Sequence, residues 1–277
     1  MLSRSSLGST RAPSLPPKTA PFPLRKAAFK RAWWALGDLA RALRERQIRS
    51  AIRDLRGAYA GQHLIIAGSG PSMRNLPLHR IASRTALLMT VNNSYRLFPD
   101  TRIDFHTISD RHCYASFAER IEAQDFGTCF YRDQIARLPA WQQFGQPQRT
   151  VFVPSRRGGI QKRSVQVRAD HGIGNDSTVV VFAAQLAFYL GFDPVTIIGC
   201  DLTYDGPEPY AYDIDDGDRR HACMPETQAR RSSMIHANVE FKALRDVFEA
   251  HDRVLRNATP GGNLEALPRV AFADTLP

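Results

Sequence analysis

From residue 63 onward the chain repeats one pattern: a short apolar run, a break rich in Gly, Pro or Asn, and in several cases a stretch with helical periodicity. The runs are HLIIA, ALLMTV, IDFHTI, TCFY, RTVFV and PVTIIG. Segments apolar on both faces do not suit a sheet with one side in water. They suit the strands of a mostly parallel sheet covered on both sides by helices. Helix candidates fall between them at 113–124, 177–190 and 237–250, the last two strongly amphipathic. Alternation of strand and helix predicts a doubly wound, Rossmann-like α/β fold over residues 61–277, with no internal repeat.

The first 60 residues differ in kind. The whole chain carries a formal charge of +10, which points first to nucleic acid, but the charge is not spread evenly. Residues 1–60 hold 13 Lys and Arg against Asp38, Glu45 and Asp54, whereas residues 61–277 hold 24 of each sign. The α/β part is therefore neutral and offers no electrostatic footprint for DNA or RNA. Residues 1–24, rich in Ser, Pro and basic side chains, read as a flexible tail. Over 25–60, Phe29, Trp33, Leu36, Ala40, Leu43, Ile48, Ile52, Leu55 and Tyr59 recur at helical spacing among arginines. That is a basic amphipathic helix, whose apolar stripe packs on the domain or, with Trp33, Trp34 and the arginines, meets an anionic membrane surface. Cys113, Cys129, Cys200 and Cys223 form no CxxC pair, and no apolar run reaches bilayer length, so a cytoplasmic protein with reduced thiols is expected, peripheral to the inner membrane face if the helix contacts lipid.

Three places can carry chemistry. The first strand runs into Gly68-Ser69-Gly70-Pro71-Ser72, where glycines permit a tight turn and close approach of a phosphate or nucleotide to free helix amides. This is neither the dinucleotide fingerprint nor a P-loop, and a strand-turn-helix corner needs glycine in any case. The second strand ends at Asn92-Asn93-Ser94 and the third at Ser109-Asp110, positions that in an open α/β sheet face a ligand but that also suit plain turns. The longest block spans Gly174–Asp213. In it Ser177 and Thr178 open a helix, the next strand ends at Gly199-Cys200-Asp201, and Tyr204, Tyr210 and Tyr212 follow. A strand-end Asp201 can hold sugar or ribose hydroxyls, and tyrosine hydroxyls can donate to a departing phosphate without adding charge.

In order and spacing, GSGPS, Asn92, GCDLTY and PYAYD resemble the bacterial lipooligosaccharide sialyltransferases, with one extra residue between Asp201 and Tyr210. The ending VEFKALRDVFEAHDRVLRNATPGGNLEALPRV fits that family's closing helix-strand-loop. Across the whole domain the chain resembles at least as closely the broad 6-hydroxymethylpterin diphosphokinase-like family, which includes flagellin-glycosylation accessory factors and of which the ending RNATPGGNLEALPRV is characteristic.

The first resemblance implies a CMP-sugar donor held by Gly68, Ser69, Gly70, Pro71, Ser72 and Asn92. Ser177 or Thr178 would lie near the cytidine or a carboxylate, Gly199 and Asp201 on the ribose side, and Tyr204 and Tyr210 at the leaving phosphate. It also implies a histidine base for the acceptor hydroxyl: His236, one position out of register, or else His221. Ser69 replaces the usual asparagine of the first turn, and Ser109 or Asp110 stands where another is expected, so the donor sugar can differ from sialic acid.

The leading expectation is thus a metal-independent glycosyltransferase, without cofactor, moving an acidic sugar from a CMP donor to a cell-surface glycan or lipid-linked acceptor. The second resemblance implies instead a diphosphokinase in which Asp213, Asp215, Asp216 and Asp218 hold Mg²⁺. A third reading is a noncatalytic nucleotide-sugar-binding factor of envelope polysaccharide synthesis. Residues 213–235 lack apolar periodicity and read as a lid-like loop whose arginines could meet a sugar carboxylate or phosphate, and SRRGGIQKR (155–163) reads as a second surface loop. His221 and Cys223 alone fall short of a zinc site.

Overall fold

The computed structural model describes residue 39 and residues 42–82, 85–155, 165–174, 177–203, 209–225, 228 and 236–276. The tail at 1–24, Tyr204 and the basic loop beyond Ser155 lie outside the described residues. The chain divides into two compact units, Met1–Arg44 and Glu45–Pro277. In the first, Leu39 and Leu43 are exposed.

All seven strands of the second unit run parallel: β1 (Leu64–Ala67), β2 (Leu87–Val91), β3 (Ile103–Ile108), β4 (Phe126–Arg132), β5 (Thr150–Val153), β6 (Val195–Ile198) and β7 (Leu255–Asn257). Their order across the sheet is β5-β4-β3-β2-β1-β6-β7. The helices are α1 (His79–Ala82), α2 (Arg111–Glu122), α3 (Pro139–Phe144), α4 (Val179–Leu190), α5 (Asp216–Ala222) and α6 (Ala237–Glu249). Strand residues alternate between two cores. Leu64 and Ile66 of β1 pack with α4 and α6 on one face, Ile65 and Ala67 with α2 and Trp141 of α3 on the other. Burial on both faces is the physical reason the runs are apolar throughout.

Helix ends follow local chemistry. The Asp110 carboxylate accepts from the His112 amide at 2.8 Å and starts α2 two residues before the apolar period begins. Thr178 caps α4 by accepting from the Val181 amide, and Gly191 in the left-handed region ends it.

One expectation is corrected. The basic helix assigned to 25–60, whose residues 25–38, 40 and 41 lie outside the described residues, is helical up to residue 53 and gives way to turns at 54–61, because Gly57 and Gly61 adopt positive φ and bond to the end of α4. In this described part the apolar stripe packs on the domain. Ile52 is buried in the core, and Tyr59 stacks on Phe192 at 4.9 Å between ring centroids and meets Phe105 edge-on. The strand β7 and the helix α3 were invisible to periodicity, one being three residues long and the other six. Among the described residues no helix is long and apolar enough to cross a membrane.

One buried polar side chain makes the fold acid-sensitive. His106 of β3 is buried, stacks on Phe126 at 4.2 Å, and has Nδ1 2.8 Å from the Thr90 hydroxyl. Burial, then the Arg149 charge, push its pKa down from 6.5 to about 3. A proton therefore binds the unfolded chain first, and stability is lost as pH falls from about 6.5 toward about 3, by at most about 1.4 kcal/mol per pH unit. Melting temperatures measured across this window fall less steeply for His106→Phe than for the parent; equal slopes would contradict the assignment. His63, lowered to about 4 by burial and then by Arg256, keeps its own share in both proteins.

Candidate functional site

The sheet order creates a crevice before any side chain is considered. The chain leaves β1 toward β2 on one side and leaves β6 toward β7 on the other, so the turns after these adjacent strands diverge at their carboxyl ends. Ligands of open α/β sheets bind at such points. A cleft lies there, bordered by Gly68, Ser69 and Gly70 after β1, Asn92 and Asn93 after β2, Ser109 and Asp110 after β3, and Gly199 to Thr203 after β6. Ser177, Thr178 and the first turn of α4 close one wall; Pro209, Tyr210, Tyr212, Asp218 and His221 close another.

The glycine corner is set by packing within the protein as well as by access for a ligand. The Gly68 amide donates to the Ile198 carbonyl at 2.8 Å and the Gly70 amide to that of Gly199 at 2.9 Å. A Cβ on Gly68 would overlap the Gly199 carbonyl oxygen, and one on Gly70 the Asp201 carboxylate. Gly199 itself has φ +64. Asp201, expected on the ribose, accepts from the Ser72 amide at 3.1 Å and the Ser72 hydroxyl at 2.8 Å, and so caps the 3₁₀ turn Pro71–Asn75. Burial raises its pKa, opposed by the two Ser72 bonds. Pro71 and Ser72 lie beneath the corner and do not border the cleft.

A brace for this corner was missed. Gly262, at φ +68, lies so close that its Cβ would sit 2.8 Å from Asp201 Cα and carbonyl oxygen. The Asn263 amide donates to that carbonyl at 2.7 Å, and Arg269 ties Thr259, Gly261 and Gly262 carbonyls at 2.9, 2.6 and 2.8 Å. The signal was the pair Gly261-Gly262, noted only as a family resemblance.

The cleft offers polar groups to an anion and to hydrogen-bond donors. The first turn of the twelve-residue α4 brings amides and the positive end of the helix dipole. Ser177 is partly engaged, since its amide and hydroxyl both donate to the buried Glu240. Asn92 takes φ 48, unusual for a residue with a side chain. The buried amide oxygens of Asn92 and Asn93 have no donor among the described residues. Such acceptors are costly to leave unmet.

Residues 226, 227 and 229–235 of the segment read as a lid-like loop lie outside the described residues. Its described part contains α5, capped by reciprocal bonds between Asp215 and Asp218. Arg74 donates to the Tyr210 and Ala211 carbonyls, and the Ala211 amide to Ser69. Arg96 pairs with Asp218 at 2.6 Å and lies over the Tyr212 ring at 4.3 Å, which in turn stacks on Tyr210. Arg120 pairs with Asp215 at 2.8 Å and Arg219 with Asp216 at 2.9 Å. Three of the four carboxylates offered to Mg²⁺ thus already face arginines, and no cluster of three metal-ligating side chains occurs among the described residues. His221 borders the cleft, its Nδ1 3.4 Å from the Ser116 hydroxyl and its ring edge-on to Phe117. His236 stands half-buried at the start of α6 and is not among the residues bordering the cleft. Cys113, buried and at the cleft, had no sequence signal beyond its helix.

No family model and no curated protein matches the chain. Among solved structures it is similar to the Maf glycosyltransferase from Magnetospirillum magneticum AMB-1, with 15% identity over 83% of this chain and a TM-score of 0.48. The chain spans 38% of that protein's length. A variant of the sialyltransferase CST-II in complex with CMP shares 14% identity over 76% of this chain and 86% of its own, at a TM-score of 0.48. The sialyltransferase CstII from Campylobacter jejuni with the substrate analogue CMP-3FNeuAc shares 12% identity over the same fractions, at 0.46. These neighbours are glycosyltransferases. What the present cleft does has to be read from its own residues.

Because the Gly68 side meets backbone, Gly68→Ala is expected to destabilise the protein by about 1–3 kcal/mol. Gly174→Ala, with open space around it, should stay within about 0.5 kcal/mol of the parent. Denaturant midpoints measure both; equal effects would mean that the corner is not tightly packed.

Proposed function

We propose that the chain is a glycosyltransferase taking an acidic sugar from a CMP donor to a hydroxyl of a cell-surface glycan or lipid-linked acceptor. One convergence carries the reading. Of the described residues that the sialyltransferase resemblance assigns to the donor, Gly68 to Gly70, Asn92, Ser177, Thr178, Gly199, Asp201 and Tyr210 come from separate stretches of sequence and border one cleft, whereas Pro71 and Ser72 do not. That cleft combines a helix amino end for a phosphate or carboxylate with unmet amide oxygens for ribose hydroxyls or a base amine.

In this reading the acceptor oxygen attacks the anomeric carbon, the bond from that carbon to the phosphate oxygen breaks, and CMP departs with the electron pair. Tyr210 donates to the phosphate as its charge grows, and the helix end stabilises the same charge. The acceptor proton passes to His221, favoured over His236 by its place at the cleft. Asp201 supports the corner more than it contacts ribose, since both its oxygens serve Ser72. The diphosphokinase alternative is disfavoured because a magnesium ion would have to displace Arg96, Arg120 and Arg219 from their carboxylates.

Calorimetry separates these readings. CMP should bind equally well with EDTA or Mg²⁺, while ATP binding only with Mg²⁺ would favour the diphosphokinase. Hydrolysis of a CMP-sugar by the purified chain would count against a noncatalytic factor. Once a donor and acceptor are found, His221→Ala should lower kcat by about 10²–10⁴-fold, and His236→Ala should leave it nearly unchanged. The reverse ranking would return the base to His236.

A further inference from the structure

On the surface near the end of α4, several cations gather around a single carboxylate. Asp170 is buried, at 2% side-chain exposure, and the Arg168 guanidinium lies 2.9 Å from its Oδ2. The His171 ring is at 3.7 Å and Arg53 at 4.0 Å, and Arg49 donates to the Asp170 carbonyl at 2.8 Å. Arg56 belongs to the same neighbourhood, since its charge acts on Tyr189 together with those of Asp170 and Arg168. The carboxylate is covered while the guanidinium groups reach water: Arg53 is 63% exposed and Arg168 is 45% exposed. A buried anion beneath exposed guanidinium groups holds them in place without cancelling the positive field outside. Arg49 and Arg53 lie one turn apart on the helical segment 45–53, which Ile52 anchors in the core.

We propose that this arginine face docks on an anionic lipid bilayer surface. Charge complementarity favours an anionic partner that reaches several exposed guanidinium groups at once. The sequence immediately upstream adds what a bilayer interface takes up. Trp33, Trp34 and Leu36 recur there among Lys26, Lys30, Arg31 and Arg41, a mixture of aromatic and basic side chains suited to headgroups and their acyl boundary. The docking does not depend on the donor reading, since binding is measured without nucleotide.

The full chain is sedimented with vesicles of phosphatidylglycerol mixed with phosphatidylcholine, and with phosphatidylcholine alone. Binding is expected to the mixed vesicles only, and to weaken with salt. The variant Arg53→Gln/Arg56→Gln retains residues 1–44 and the Arg168–Asp170 pair, and should keep the parent melting temperature while partitioning roughly 30-fold less. Unchanged partitioning of that variant would assign any binding to the upstream segment and overturn the proposal. So would equal binding to neutral vesicles, or tighter binding to a single-stranded oligonucleotide than to anionic vesicles at the same salt.

Discussion

The arrangement of the cleft depends on a backbone contact between two turns. The corner after β1 and the corner after β6 pack with their peptide groups in direct hydrogen bonding, which only glycine at Gly68, Gly70 and Gly199 allows. That contact sets the angle at which the chain leaves each strand, and the divergence of those paths opens the crevice. Asp201 then serves as the keystone of the corner. Its carboxylate caps the turn at Ser72 and its carbonyl receives Asn263, so the carboxyl-terminal segment locks what the first strand begins. The groups left to meet a ligand are those this scaffold does not use: the amino end of α4 and the amide oxygens of Asn92 and Asn93.

Charge is handled by a similar division of labour. The carboxylates over the cleft are bound into caps and arginine pairs, so Asp215 and Asp218 build α5 and do not present free ligands to a cation. Arg96 serves several purposes, holding Asp218, the Asp213 carbonyl and the face of Tyr212.

Much of the fold was legible because its cause is local. Burial on both faces demanded apolar runs such as IDFHTI, and β3 spans Ile103–Ile108 as read. The amphipathic stretch at 237–250 is α6 to within a residue. What periodicity could not show depends on long-range contacts. Leu255–Asn257, expected from the family resemblance alone, is too short to carry a period and is a strand only because β6 lies beside it. The helix read to residue 60 stops earlier because Gly57 and Gly61 serve the end of α4, a partner far away in sequence. At the cleft, strand-end residues such as Asn92 and Ser109 were legible from the rule that ligands sit at carboxyl ends. The inward position of His221 was not, because it depends on how a polar segment folds back against Phe117 and Ser116. Nor could the sequence reveal that Asp201 spends its carboxylate on Ser72.

The central claim is that a nucleotide phosphate rests between the two glycine corners and the amino end of α4. Amide resonances of isotopically labelled protein titrated with CMP address this directly. Shifts should concentrate at Gly68 to Gly70, Asn92, Val179, Val180 and Gly199, and leave the opposite strand ends at Leu64 and Leu87 unmoved. Saturable shifts confined to that opposite edge, or none at any concentration, would contradict the account.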